Sequence, residues 1–234
     1  MEGDVYSWGR WQAIGGVPIK NRFEEVIGFG NCRENQLQPR KVDLYGEKIA
    51  RIFAGADFSL ALTDSSQLYS WGCCSNGQLG HFEIEYDLVT PRRIEFVVEE
   101  KKTEVDHDVK TGKRKILDVG VGVGGRSVYV LAEEGGDKDI WGWGEQENGQ
   151  LNQSKNEFII KTPRVIRSGE GFEWIVGGTR GALMGGNGVK LEGLGKGVDV
   201  REKIEMKEGK VVGGRKCWWV LDTNEEIEEK KSDV

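Results

Sequence analysis

The chain has 234 residues and a net charge of −6 at neutral pH, with 33 Lys and Arg residues against 39 Asp and Glu residues. This length fits one large domain or two small ones. The two signs of charge are interspersed, so the chain lacks the broad basic field that phosphate-backbone binding needs, which argues against a nucleic-acid partner. No apolar run approaches the roughly 18 residues of a membrane span, so we expect no membrane insertion.

The composition favours a folded protein of a reducing compartment. The chain carries 35 glycines, which fall in turns between apolar runs, and 8 tryptophans, which supply large apolar area for a core. It has 4 cysteines and no apolar segment at its start. Free thiols are therefore expected, and with them a cytoplasmic or nuclear location.

Taken in chain order, the first recognisable strand is VYSWG at residues 5–9, and residues 11–30 keep only fragments of a pattern. From residue 49 the pattern becomes clear, with apolar runs at 49–55, 58–63 and 68–71. Short apolar, β-compatible runs that end at Gly, Asp or Ser predict antiparallel strands. A second set follows with runs at 116–120, 127–131 and 140–143, where the polar segment EEGGDKD is interpreted as a longer turn.

The clearest feature of the chain is an internal repeat. The stretch LYSWGCCSNGQLG at residues 68–80 returns in large part as IWGWGEQENGQL at residues 140–151, and a Thr-Pro-Arg segment returns at the same offset of 72. Residues that recur in register over this distance indicate a duplicated unit, in which Trp fills the gap between sheets and glycines make the turns. We interpret them as structural: Trp71, Gly72, Gly77, Gln78 and Leu79 in the first copy, and Trp143, Gly144, Gly149, Gln150 and Leu151 in the second.

Later units are less complete. Residues 174–195 form a third unit in which a glycine takes the place of the tryptophan, and a last hairpin covers residues 210–221 without a following Trp-Gly strand. In that hairpin, the positions of Gly55, Ser59 and Thr63 are assigned to Gly213, Cys217 and Leu221.

The incomplete ends of the pattern suggest how the sheets close. The strand at residues 5–8 has no unit around it, and the hairpin at 210–221 has no third strand, so we predict that they pair and close a ring. The chain is then a single domain over residues 1–224 with a polar insertion at 95–114. Residues 225–234 are a charged tail, interpreted as disordered.

No chemical site is predicted. GVGVGG at residues 120–125 matches the dinucleotide fingerprint, but a strand pattern follows it where a helix is required. The cysteines form no C-x-x-C pair, the only histidines are His81 and His107, and no G-x-S-x-G motif occurs. We therefore expect no catalytic residue, no cofactor and no metal, and a protein that is not an enzyme.

The hairpin ending in ALT, the LYSWG strand, the NGQLG turn and the later TPRRI segment together resemble the repeat of the regulator of chromosome condensation family. The resemblance implies an all-β fold of the β-propeller type. It covers residues 49–166 well. The family generally closes seven blades, and the hairpins here predict a smaller ring of about four to five.

The resemblance also implies a function. The first hypothesis is a non-enzymatic interaction module or adaptor subunit in the cytosol or nucleus, similar to the family's partner of tRNA wobble-uridine modification and diphthamide synthesis. The alternatives are guanine-nucleotide exchange on a Ran-like small GTPase, or a chromatin-associated adaptor. In each case the expected partner is a protein, and Trp11, His107 and Trp218 are the candidate contact residues.

Overall fold

The computed structural model describes residues 4–9, 17–20, 26–30, 36–84, 87–97, 114–122, 125–153, 156–186, 189–195, 209–213 and 218–222. Every helix or strand in these ranges is a β-strand, and all pairings are antiparallel. Within them, no helical segment has the length and apolarity that a bilayer crossing requires.

Seventeen strands follow one another along the chain. They are β1 (Tyr6–Gly9), β2 (Val17–Lys20), β3 (Val26–Gly30), β4 (Gln36–Lys41), β5 (Ile49–Ala54), β6 (Phe58–Thr63), β7 (Leu68–Gly72), β8 (Leu88–Arg93), β9 (Lys115–Val121), β10 (Ser127–Glu134), β11 (Asp137–Glu145), β12 (Ile159–Ser168), β13 (Trp174–Gly177), β14 (Ala182–Gly186), β15 (Val189–Leu194), β16 (Gly209–Gly213) and β17 (Trp218–Asp222).

The strands form blades in chain order. Strands β5 to β8 make a four-stranded sheet, here called blade 1, strands β9 to β12 make blade 2, and strands β13 to β15 make the three-stranded blade 3. The first strands of the three blades lie next to one another, β5 by β9 and β9 by β13, and β16 contacts β13. Sheets that pack side by side through their first strands have the arrangement of a propeller, which confirms the all-β propeller fold.

The described blades are fewer and less complete than a closed ring requires. Besides the three blades, the described strands form three two-stranded sheets, β1 with β4, β2 with β3, and β16 with β17. The predicted number of blades therefore stays a prediction.

A proline marks the outermost strand of each of three sheets. Pro39 lies in β4, Pro91 in β8 and Pro163 in β12. The pairing register around each is the same: Tyr6 faces Lys41, Tyr69 faces Arg93 and Trp141 faces Val165, each two residues after the proline. Because proline lacks a backbone N–H, it fits the unpaired side of an edge strand and discourages the pairing of a further strand.

The same register bears on the predicted closure of the ring. Strand β1 pairs with β4 as β7 pairs with β8, and Val42 N donates to Val5 O at 2.8 Å. The other edge of β1 is the one predicted to pair with the hairpin at 210–221; among the described strands β1–β4 and β16–β17 are separate two-stranded sheets, so this pairing stays a prediction. An ion pair of 2.7 Å between Lys41 Nζ and Asp4 Oδ1 adds to the contact.

Two assignments within the later units are wrong by one residue. Leu194 faces Ala182 as Trp143 faces Val128, so leucine and not glycine takes the tryptophan position in blade 3. In the last hairpin Gly213 faces Trp218 as Ala54 faces Ser59, so Trp218 and not Cys217 takes the position of Ser59. The turns of these two units contain adjacent glycines, so the sequence can be aligned with the earlier units in two ways that differ by one residue. A shift of one residue moves every side chain of a strand to the opposite face of the sheet.

Candidate protein-interaction surface

In the four-stranded blades 1 and 2, the turn that follows the third strand is held by a hydrogen bond within the turn. Gln78 and Gln150 are fully buried. Each side-chain carbonyl accepts a hydrogen bond of 2.7 Å from the backbone N–H two residues earlier, at Asn76 and at Asn148. The preceding glycines have φ values of 69° and 68°, in the left-handed region that favours glycine. The repeat therefore conserves a turn geometry, and Leu79 and Leu151 fill the core behind it.

Trp143 joins blade 2 to this turn of blade 1. The ring is fully buried, and its Nε1 donates to the backbone carbonyl of Gln78 at 3.0 Å. A Cβ atom at Gly80 would lie 3.0 Å from the same nitrogen, so the turn must be glycine where the ring approaches. Trp71 is equally buried, but its Nε1 has no acceptor among the described residues. The tryptophan of blade 2 and the NGQLG turn of blade 1 are thus in direct contact across the blade boundary.

The glycine-rich segment of residues 120–125 lies where the first strands of blades 2 and 3 touch. A Cβ atom at Gly177 would lie 2.7 Å from Gly122 N, and one at Gly122 would lie 2.2 Å from the carbonyl carbon of Gly178. At such distances only the hydrogen atom of a glycine fits, so the backbones of the first strands of blades 2 and 3 are in direct contact. Strand β10 begins at Ser127. This packing accounts for the described glycines of the segment, Gly120, Gly122 and Gly125.

Asp118 connects three blades at their first strands. Its Oδ1 accepts a 2.7 Å hydrogen bond from Arg51 of blade 1, and its Oδ2 accepts one of 2.9 Å from the backbone N–H of Ile175 in blade 3. The carboxylate side chain is only 15% exposed, whereas the arginine side chain is 49% exposed. The Asp118 carboxylate therefore links the first strands of blades 1, 2 and 3.

Both ends of the insertion at residues 95–114 are fixed on blade 2. The ring of Phe96 packs edge-on against Trp141 and Trp143, with centroid distances of 5.4 and 6.0 Å. Arg114 lies over the Trp141 ring at 4.5 Å and pairs with Glu134 at 2.5 Å. We call these five residues the insertion anchor. Arg114 also donates to the Phe96 carbonyl at 3.1 Å, which ties the two ends to each other.

The side chains of the three predicted contact residues lie outside the described part of the structure, so their role stays a prediction. Trp11 and His107 lie outside the described residues, as do residues 98–113 of the insertion and the charged tail. Trp218 lies in β17, and only its backbone is described. Sequence reasoning missed the insertion anchor, although an aromatic and an arginine at the two ends of a polar insertion could have indicated it.

The described groups with reactive side chains are engaged in structural contacts. Ser70 Oγ donates to the Leu79 carbonyl at 2.7 Å and lies 3.0 Å from His81 Nε2, which donates to it. Burial raises the pKa of Cys74 to about 11, so its thiol stays protonated at neutral pH. Among the residues described, no group of three His, Cys, Asp or Glu side chains could hold a metal ion.

His81 should make the stability of the protein depend on pH. Burial, and secondarily the nearby Arg92, lower its pKa from 6.5 to about 4 in the folded chain. Between these values the unfolded chain binds a proton that the folded chain does not, so the stability contribution is complete above pH 6.5 and is lost as pH falls towards 4. We expect a loss of up to about 3 kcal/mol across this window.

Urea unfolding of wild type and His81→Asn between pH 7 and pH 4 measures this effect. Other carboxylates titrate in the same range, so the informative quantity is the difference between the two proteins. Wild type should lose more stability than the variant as the pH falls. Parallel pH profiles would contradict the assignment to His81.

Comparison with known proteins shows where this architecture occurs. The family model of the regulator of chromosome condensation (RCC1) repeat matches residues 49–78. The E3 ubiquitin-protein ligase HERC2 of Mus musculus is 28% identical over 71% of this chain and 3% of its own length. The Protein RCC2 homolog of Danio rerio is 29% identical over 70% of this chain and 32% of its own length. The chain thus spans a third or less of these curated relatives.

Solved structures show the same fold. Prp20p from Saccharomyces cerevisiae, described with its binding to Gsp1p and histones, superposes with a TM-score of 0.63 at 17% identity. The match covers 95% of this chain and 52% of that one. Human WBSCR16 superposes with a TM-score of 0.57 at 21% identity, over 88% of this chain and 46% of its own. At these identities the likeness concerns the fold, and the chain spans about half of each solved propeller.

Proposed function

Because this chain is built on repeats of the regulator of chromosome condensation type, we propose that it is a non-enzymatic interaction module that binds a protein partner through the insertion at residues 95–114. The observation that carries this proposal is the insertion anchor, which holds both ends of a polar segment against fully buried tryptophans of blade 2. A solvated loop needs no such support, whereas a binding loop gains affinity when its ends are fixed before the partner arrives.

The charge of the anchor supports the same conclusion. Arg114 is stacked on Trp141 and paired with Glu134, with side chains only 17% and 23% exposed. A half-buried ion pair of this kind is costly to break, because one partner would be left without its counter-charge. The ends of the insertion therefore keep one position relative to blade 2. In the cell we place this module in the cytosol or nucleus as an adaptor subunit, comparable with the family's partner of tRNA wobble-uridine modification and diphthamide synthesis.

Affinity capture from cell extract tests the role of the insertion. The full chain is compared with a variant in which residues 98–113 are replaced by a short Gly-Ser linker, and with a control in which Asp64, Ser65 and Ser66 of the β6–β7 turn are replaced by glycine and serine. We expect a stoichiometric protein that both the wild type and the turn control retain and the linker variant loses. Equal capture by all three, or no stoichiometric partner, would refute the proposal.

A second candidate is guanine-nucleotide exchange on a Ran-like small GTPase. The observation that favours it is the fold shared with Prp20p, which is described with its binding to Gsp1p. Release of labelled GDP from the GTPase, with and without this chain, separates the two candidates. An interaction module leaves the release rate unchanged, and an acceleration of about tenfold or more would establish exchange instead.

A further inference from the structure

We propose that the outer edge of blade 3 binds an extended segment of a partner protein, which pairs with β15 as the fourth strand of this blade. The segment carries a Pro-Arg dipeptide followed by a basic residue. This inference rests on the proposed function as an interaction module, and it gives that module a second contact surface, on a different blade from the insertion anchor.

In the part of the chain that the structure describes, blade 3 stops at its third strand. Its strand order is β13-β14-β15, whereas blades 1 and 2 continue to a fourth strand. The connections from the third strand to the next strand are similar in length: residues 73–87 in blade 1, 146–158 in blade 2 and 195–208 in blade 3. The strand that follows in blade 3 is β16, which lies beside β13 and pairs with β17. The place in the chain where a fourth strand is expected therefore begins the next sheet.

The backbone of β15 directs hydrogen-bonding groups towards this edge. In blade 1, Ile94 N donates to Leu68 O at 2.8 Å, so Leu68 and, by the alternation of an antiparallel ladder, Ser70 bond to the fourth strand. Gly193 of β15 takes the position of Ser70 in the pairing with the second strand. Ser70 is fully buried, whereas Gly193 is exposed. The N–H and carbonyl of Gly193 therefore point to an open edge.

The outermost strands β4, β8 and β12 indicate what kind of segment fits this edge. Each contains a Pro-Arg dipeptide, and in all three sheets the arginine faces the position that Gly193 holds in blade 3. The proline lacks an N–H on the side that faces away from the third strand, so such a strand pairs on one edge and ends the sheet on the other. Strand β15 contains no proline, so its own edge stays open to pairing.

Glu192 indicates which residue should follow the Pro-Arg dipeptide. The pairing register puts Glu192 where blade 1 has Tyr69 and blade 2 has Trp141. The residue that faces this position lies two places after the proline, and it is Arg93 in blade 1 and Val165 in blade 2. Directly facing opposite charges stabilise an antiparallel pair, and like charges destabilise it. Opposite a glutamate, a basic residue is therefore the favourable neighbour.

The test uses a fluorescein-labelled peptide of residues 87–96, which contains the β8 sequence, and measures its binding to the full chain by fluorescence anisotropy. Two further peptides carry one backbone N-methyl group each, at Arg92 or at Arg93. The N–H of Arg92 faces the third strand and that of Arg93 faces away, so only the first methyl group removes a hydrogen bond of the pairing. A fourth peptide carries Arg93→Glu, and it is compared on wild type and on Glu192→Arg.

We expect saturable binding of the unmodified peptide, a loss of about tenfold for methylation at Arg92, and little change for methylation at Arg93. The Arg93→Glu peptide should bind wild type about threefold or more weakly, and Glu192→Arg should reverse this preference. Failure of the unmodified peptide to bind would overturn the proposal, and so would equal binding of the two methylated peptides. A charge preference that Glu192→Arg leaves unchanged would also overturn it, because the peptide would then lie elsewhere.

Two other occupants of the edge give different results. If peptide binding appears only after residues 198–206 are replaced by a Gly-Ser linker, the edge belongs to that segment of the chain itself, and the proposal is wrong. Concentration-dependent dimerisation that the peptide disrupts would assign the edge to a second copy of this chain and would also overturn the proposal. We expect equal peptide binding by the 198–206 variant and the wild type, and no dimerisation.

The linker variant at residues 98–113 separates this proposal from the function proposed above. It should bind the peptide as wild type does, because β15 belongs to blade 3 and the insertion anchor to blade 2. Conversely, Glu192→Arg should still capture the protein that the insertion binds. Loss of peptide binding in the linker variant would show that the peptide binds the insertion and not the edge of β15.

Discussion

Replacement of Trp143 by alanine should lower the free energy of unfolding by about 3–5 kcal/mol, the usual cost of removing a large buried aromatic side chain. The ring is fully buried where blades 1 and 2 meet, and it makes the inter-blade hydrogen bond to Gln78. Deletion leaves a cavity and an unpaired buried carbonyl at once. Because both defects lie between blades, we expect the two complete blades to be destabilised together.

Chemical unfolding followed by tryptophan fluorescence and circular dichroism measures this effect. Trp143→Phe removes the hydrogen bond and keeps most of the volume, so it should cost only about 1–3 kcal/mol. Phe158→Ala is the control for loss of an aromatic ring, since Phe158 is 62% exposed and should change stability by less than about 0.5 kcal/mol. A Trp143→Ala protein as stable as Phe158→Ala would contradict the inter-blade role.

Substitution of Gly177 by alanine should separate the first strands of blades 2 and 3. The new Cβ would lie 2.7 Å from the backbone nitrogens of both Gly122 and Val121, closer than any carbon atom can approach. Backbone atoms cannot rotate away as a side chain can, so the strands themselves must move. Overpacking of this kind costs about 1–3 kcal/mol and at times more.

The control for this substitution is Gly169→Ala, where the nearest atom to the new Cβ is the edge of the Phe172 ring at 3.3 Å. Thermal and urea unfolding of both variants should show a large loss of stability for Gly177→Ala and a small change for Gly169→Ala. If both variants unfold as the wild type does, the backbone contact between the blades is looser than described.

The strands of the two repeated units could be predicted closely from the sequence because two independent signals coincide there. The strand predicted at residues 58–63 is β6, and the one predicted at 68–71 lies within β7. Apolar side chains mark both strands, and a second copy of each follows in the same order, with residues 68–71 returning at an offset of 72. Because the unit occurs twice, each strand assignment can be checked against a second copy, which is not possible in a sequence without repeats.

The polar segment EEGGDKD was predicted less well. Strands β10 and β11 extend through it as far as Glu134 and Asp137, and only two glycines form the turn. Gly135 and Gly136 have φ values of 64° and 98°, which a tight hairpin with two positive φ angles requires. The exposed ends of the strands are polar, so hydrophobicity did not indicate that they continue.

Contacts between distant residues could not be predicted. Strand β4 is polar apart from Leu37 and Pro39, and nothing local indicates that it pairs with β1. Phe96 and Arg114 are separated by 18 positions, and they meet only because β8 ends and β9 begins beside the same tryptophan. Tyr45 has a positive φ of 58°, which a sequence pattern does not show.

The position of Asp118 has a consequence for how the protein unfolds. In repeat proteins each unit usually interacts with its nearest neighbours alone, so the array can lose its units one at a time. Here one carboxylate in blade 2 is held by Arg51 of blade 1 and by the Ile175 amide of blade 3. If either outer blade detaches, the bond it makes to Asp118 is lost and the centre of the remaining pair is weakened. We therefore expect the loss of either outer blade to make the remaining pair easier to unfold.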